Sequence, residues 1–281
     1  MKNLLHILLF SFGVLLCSCE GDILPPQQSQ MIVEGWIEGG GHPVVMLTYS
    51  IPVSEEESSI DSLGQFLIRW ARVAVSDGEK TVVLSGKYTK DYFPPYIYTS
   101  AAIRGEAGKS YTLTVDYKGH HATATTTVPA SVPLDFVYSK LLNEEDSAYS
   151  VRAVFHHDAT QQRYFKIFTH IDGQSLPFYS AFMGLFDCAM LENPADVLVN
   201  SGTSIANFGD YKARFHKGDI VSVKLCTMDE VSYRFWYDYA ESENFNSNPF
   251  MPTTSNLVSN MSGGLGYWCG YGSSVKVIRV E

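Results

Sequence analysis

The residue with the clearest chemistry stands near the amino terminus. Cys19 follows Leu16, Cys17 and Ser18. A small residue directly before a cysteine, with an aliphatic residue two places earlier, is the pattern in which the thiol is alkylated with a diacylglycerol. The chain is then cut before that cysteine, which makes Cys19 the first residue of the mature protein. Lys2 supplies the one positive charge ahead of it, and Leu4 to Leu16 is apolar apart from His6 and Ser11. That segment has the length of an export signal and is too short to span a bilayer as a mature helix. An ordinary signal peptidase would find Leu16, Cys17 and Ser18 a poor small-x-small site. The expectation is a lipoprotein signal peptide over residues 1–18 and a lipid on Cys19 that holds the protein to a membrane. Each buried methylene contributes ~0.8 kcal/mol, so two or more acyl chains anchor stably.

Other reactive side chains are sparser. Beyond the signal the thiols are Cys188, Cys226 and Cys269, which allow at most one internal disulfide in three possible pairings. Cys226 lies in the alternating run from Val221 and reads as a core position. The pairs His120–His121 and His156–His157 invite a metal reading, but neighbours on a strand point to opposite faces, so neither pair chelates one ion. A glycosidase needs two carboxylates in one cleft. Glu55, Glu56 and Glu57, and then Glu144 and Glu145, fall instead in loops or turns. There is no Gly-x-Ser-x-Gly nucleophile elbow. Gly264, Gly266 and Gly270 have the wrong spacing for a dinucleotide loop and serve backbone turning or close packing. No catalytic residue, metal or cofactor is expected. Tyr92, Phe93, Tyr96 and Tyr98 form an aromatic run that suits either a stacking rim for a sugar or partner, or edge-strand and core packing.

The formal charge is −10, and loss of Lys2 with the signal makes the mature chain one unit more acidic. With no basic run, nucleic acid is a poor partner. Hydrophobic residues at 45% mark a globular chain, and 17 Tyr with 16 Phe suit strands.

These side chains must be positioned mainly by strands. Residues 19–30, with Pro25, Pro26 and three glutamines, read as a flexible tether. Over residues 31–129 short strands alternate with turn signals. Met31–Glu38 turns at Gly39–Gly41 into Pro43–Tyr49, Ala71–Val75 turns at Asp77–Gly78 into Lys80–Ser85, and Tyr111–Val115 turns at Lys118–Gly119 into His120–Val128. About seven short strands in a hundred residues predict an immunoglobulin-like β-sandwich. Residues 134–281 predict a second β-sandwich domain. Its strands fall near 134–142, 148–155, 164–171, 178–186, 219–225 and 274–280. Thr227 is placed as the N-cap of one short helix over 231–240, with Tyr233, Trp236, Tyr237 and Ala240 on its packed face. Asn244–Gly272 reads as a long loop, and such loops are uncommon without a function. Its rings Phe245, Phe250, Tyr267 and Trp268 are the expected partner contact, unless they plug the open end of the second sandwich.

Several landmarks together resemble domain-of-unknown-function family 4249, a group of Bacteroidetes lipoproteins. They are Ile32–Ile37, Ala71–Gly78 and Gly108–Val115, then Tyr233–Trp236, Asn248–Phe250 and Ser259–Tyr267. The resemblance covers the mature chain and departs from the family's usual pair at Trp268–Cys269. It implies an outer-membrane lipoprotein, often encoded beside TonB-dependent transporters, and brings no catalytic residues with it. Glu20 and Asp22, just after Cys19, resemble the surface-export signal of such lipoproteins or are simply a polar tether. The expected function is a surface-exposed, non-enzymatic accessory that captures a ligand for a TonB-dependent nutrient transporter. The alternative is a structural or adhesive surface protein.

Overall fold

The computed structural model describes residues 30–50, 64–143, 148–174, 178–203, 214–246 and 258–281, without the side chains of 143 and 242–246. The signal and Cys19, nearly all of the tether, Phe250 and the acidic residues Glu55, Glu56, Glu57, Glu144 and Glu145 lie outside the described residues.

The first half of the chain forms β1 (Met31–Glu38), β2 (Val44–Tyr49), β3 (Arg72–Ser76), β4 (Thr81–Val83), β5 (Ser85–Tyr88), β6 (Tyr96–Thr99), β7 (Ser110–Tyr117) and β8 (His120–Thr127). The second half forms β9 (Phe136–Asn143), β10 (Ala148–Phe155), β11 (Tyr164–Ile171), β12 (Tyr179–Asp187), β13 (Ala195–Val199), β14 (Gly202–Thr203), β15 (Phe215–His216) and β16 (Ile220–Met228). The helix α1 (Glu230–Asn246) and the long strand β17 (Leu265–Arg279) close it.

Local chemistry accounts for the hairpins. Between β3 and β4 the Asp77 carboxylate accepts from the backbone N–H groups of Glu79 and Lys80, while Gly78 supplies φ +88°. Between β7 and β8 both turn residues have positive φ, Lys118 at 47° and Gly119 at 83°. That is the backbone a two-residue hairpin needs to match strand twist. β1 alternates strictly, with Met31, Val33 and Ile37 buried on one face and Glu34, Trp36 and Glu38 on the other.

The strands assemble into a nine-stranded sheet in the order β14-β12-β11-β16-β17-β1-β2-β6-β5. Two smaller sheets cover one of its faces. In β4-β3-β7-β8, Val73, Val75, Leu113 and Val115 pack against Val33, Val45 and Leu47 of the large sheet. In the sheet of β13, β10, β15 and β9, Val151, Ala153 and Phe155 pack against Phe165, Ile167, Val221 and Val223. Among the described residues the architecture is therefore mainly β in sandwich layers with one α-helix, as the sequence implies. β17 joins the two cores: it runs parallel to β1 over Leu265–Tyr271 and antiparallel to β16 over Gly272–Arg279.

Two expectations are corrected. The segment 244–272 is not one long loop, because its beginning is the last turn of α1 and Leu265–Gly272 is the first half of β17. Its glycines reflect crowding, not looseness. A Cβ on Gly270 would sit 2.5 Å from the Thr127 carbonyl oxygen, and Gly266 (φ +108°) lies against Val33. Only glycine lets backbones approach that closely. The helix is also longer than 231–240 and is capped by Asp229, not Thr227, through the Ser232 N–H at 2.8 Å. It packs with Phe235, Trp236, Tyr233 and Tyr239, while Tyr237 is exposed.

Candidate ligand-binding face

The second face of the large sheet carries its own set of side chains. By register Phe168 of β11 lies opposite Lys224 of β16, which lies opposite Val275 of β17. One pair further along, His170, Ser222 and Val277 line up in the same way. Directly opposed residues share a face, so these six form a contiguous floor. Helix α1 covers the neighbouring part of this face, burying Phe235 and Trp236 against Cys226, Met228, Tyr267, Cys269 and Tyr271. The Trp236 indole N–H donates to the Tyr271 hydroxyl at 2.9 Å, which fixes the helix over the sheet. Beyond the helix the face opens, and Val275 and Val277 are 48% and 59% exposed. On the β1 side Tyr92 packs with Trp36 (ring centroids 6.0 Å apart) over Val44, Met46 and Ile97.

An ion pair sits between the covered and open parts. The Lys224 ammonium donates to Glu38 Oε1 at 2.6 Å, and the Ser273 hydroxyl donates to Glu38 Oε2 at 2.8 Å. The ammonium also lies 4.3 Å from the Phe178 ring centroid and 5.2 Å from that of Phe168. Both ring contacts fall within cation–π range. Burial works against this ammonium, yet the neighbouring Cys226 and Glu38 side chains leave its pKa above the ordinary lysine value. Cys226 is itself pushed up to about 12 by burial, so at neutral pH it is a thiol and Glu38 is the charge that acts. The pair links β1 to β16 across 186 positions of sequence. Lys166 is buried next to it, its ammonium 5.0 Å from the Trp236 ring beneath the helix. Further toward β1, the Tyr267 hydroxyl donates to Glu34 at 2.8 Å. Burial raises the Glu34 carboxyl, against the lowering effect of that hydrogen bond. Cys269 is also held at about 12, chiefly by burial, and a protonated, enclosed thiol is a poor nucleophile. What this arrangement offers is binding: a donor and an acceptor locked together, with half-buried rings around them.

The residues singled out by sequence are distributed differently from expectation. Trp268 is fully buried in the first core and its indole N–H donates to the Tyr111 carbonyl at 2.9 Å. Tyr267 is buried under α1. The expectation that these two rings contact a partner is therefore corrected, because β17 carries them into two cores on opposite faces. The Phe245 side chain and Phe250 lie outside the described residues. Of the aromatic run, Tyr98 is core, its hydroxyl donating to the Ile68 carbonyl, while Tyr92 reaches the rim of the open face. His121 pairs with Asp116 and His156 with Asp135, while His157 is buried beside the Glu192 carbonyl. Cys188, Cys226 and Cys269 are free, buried thiols. Sequence reasoning missed Glu38, Lys166, Lys224 and Ser273. The one local signal was a lysine embedded in each of two strand runs rich in branched and aromatic residues, at Lys166 and Lys224.

Fold and face together define a mainly-β sandwich protein with two sandwich cores, one shared sheet and a helix that encloses a further apolar cluster on part of its outer face. The chain belongs to the family described as Domain of unknown function (DUF4249), whose model matches residues 22–276. No curated protein matches the chain. The block around Ser259–Tyr267 has a clear structural task here. Ser259 donates to the Gly266 carbonyl, and the Asn260 amide pairs with both the N–H and the carbonyl of Trp268. These side chains satisfy the β17 backbone where the strand enters the sheet.

Proposed function

We propose that the protein is a lipid-anchored, surface-exposed outer-membrane protein that captures a ligand on the open part of the large sheet and presents it to a TonB-dependent nutrient transporter, without transforming it. The observation that carries this reading is the Lys224–Glu38 pair set among the half-buried rings Trp36, Tyr92, Phe168 and Phe178. Small-molecule sites combine apolar walls with a few fixed polar groups in this way. The pair's groups are tied to one another and to Ser273, which preorganises them for recognition. The lipid on Cys19 and the proline- and glutamine-rich stretch after it would let the captured ligand move near the membrane.

The test is purification of the lipid-bearing chain from detergent-solubilised outer membrane. A TonB-dependent barrel is expected to co-purify. Cys19→Ala is expected to abolish palmitate incorporation and release the protein from membranes. A correctly lipidated chain that is recovered without any barrel would refute the accessory role.

A further inference from the structure

We infer that the ligand of this open face is a neutral oligosaccharide. The inference rests on the capture reading above and adds the chemical class of what is captured.

Each alternative class meets an obstacle in the geometry. An anion would have to take Lys224 from Glu38, which already holds it at 2.6 Å. The displaced carboxylate would then be left partly buried without its partner, a costly state. The chain's formal charge of −10 adds long-range repulsion. A cation would meet the charge of the Lys224 ammonium, which already covers one face each of Phe178 and Phe168, at 4.3 Å and 5.2 Å from their centroids. A purely apolar ligand would strip water from the accessible edge of the pair, whose Lys224 and Glu38 side chains are 11% and 22% exposed, and return nothing.

A neutral sugar meets every demand. Its hydroxyls are donor and acceptor at once, so two adjacent hydroxyls can bond to an ammonium and a carboxylate fixed side by side. Its C–H faces lie against aromatic rings such as Tyr92 and Phe178. The floor favours a chain over a single enclosed ring. Val277 lies opposite Ser222 and Val275 opposite Lys224 on the neighbouring strand, and both valines are exposed. An open sheet surface of this kind accepts the side of an oligosaccharide.

The experiment uses the full-length chain carrying Cys19→Ala, applied to a glycan array bearing neutral, uronic-acid and amino-sugar oligosaccharides, with hits titrated by calorimetry. Neutral oligosaccharides are expected to dominate the hits. Phe178→Ala and Glu38→Gln should each weaken the best of them at least tenfold. Val277→Glu lies at an exposed floor position and should abolish binding with the near-ultraviolet circular dichroism unchanged, which separates loss of the site from loss of the fold. An array silent for neutral sugars, stronger binding of uronic-acid or amino-sugar chains, or full binding by Val277→Glu would overturn the inference. The array contains no transporter, so its outcome is independent of the barrel. Sugar binding without a co-purifying barrel would support the ligand class and refute only the accessory role. A co-purifying barrel with a silent array would do the reverse.

Discussion

Replacing Trp268 with alanine discriminates most sharply between a ring that contacts a partner and a ring that holds the fold. The indole is fully buried in the first core. It lies so close over β1 that a Cβ on Gly35 would be 2.9 Å from its Cε3 atom. Truncating a buried tryptophan costs about 3–5 kcal/mol in transfer and cavity terms. The Tyr111 carbonyl also loses the indole donor, which adds about 1 kcal/mol. A combined loss of about 4–6 kcal/mol is a large share of the 5–15 kcal/mol that typically separates folded from unfolded states. At about 2–4 °C per kcal/mol for a chain of this size, the melting temperature should fall by about 10–20 °C. Thermal unfolding followed by circular dichroism measures it. Trp268→Phe keeps a ring over Gly35 without the donor and should fall between wild type and Trp268→Ala. A melting temperature within about 2 °C of wild type for Trp268→Ala, under 1 kcal/mol on that scale, would show that the indole is not part of the core.

Other consequences follow from the same structure. Gly270→Ala places a methyl 2.5 Å from the Thr127 carbonyl oxygen, so overpacking should cost about 1–3 kcal/mol in urea unfolding, and an unchanged midpoint would contradict the close approach of β17 to β8. Burial raises the Glu34 carboxyl above its ordinary 4.5, so the native state binds this proton more tightly than the unfolded chain. The contribution is therefore full below about pH 4.5 and is lost as pH rises through the native value. Glu34→Gln should flatten that part of the stability–pH curve, and superimposable curves for the two proteins would refute the raised pKa. Burial holds the Cys226 and Cys269 thiols at about 12, and Cys188 is also buried. The mature protein should resist a thiol-specific disulfide reagent until it is denatured, whereas rapid labelling of the native form would place these thiols at the surface.

Much of the fold was legible because it is written in local patterns. Alternation along Met31–Glu38 marks a strand, since burial on one face of a sheet imposes a two-residue period, and the aromatic and branched residues of Tyr164–Ile171 mark another. Asp77–Gly78 and Lys118–Gly119 mark hairpins, because their backbone and side-chain chemistry closes the turn without help from elsewhere. The helix was legible in its ring spacing, but its buried face was misjudged. Phe235 and Tyr239 face the sheet because of where β11 and β17 lie, and the helix's own sequence carries no record of that. Leu265–Gly272 was misread for a related reason. Glycines signal a loop when the surroundings are unknown, and only the approach of Thr127 and Val33 makes them a requirement of a packed strand. The open face was the least legible part. Glu38 and Lys224 stand 186 positions apart and meet because β17 pairs with β1 on one side and β16 on the other. Sequence determined which residues would seek burial and where the chain would turn. Which strands became neighbours, and so which polar groups were brought together, was decided by long-range pairing, where contact depends on the whole chain's packing and not on spacing along it.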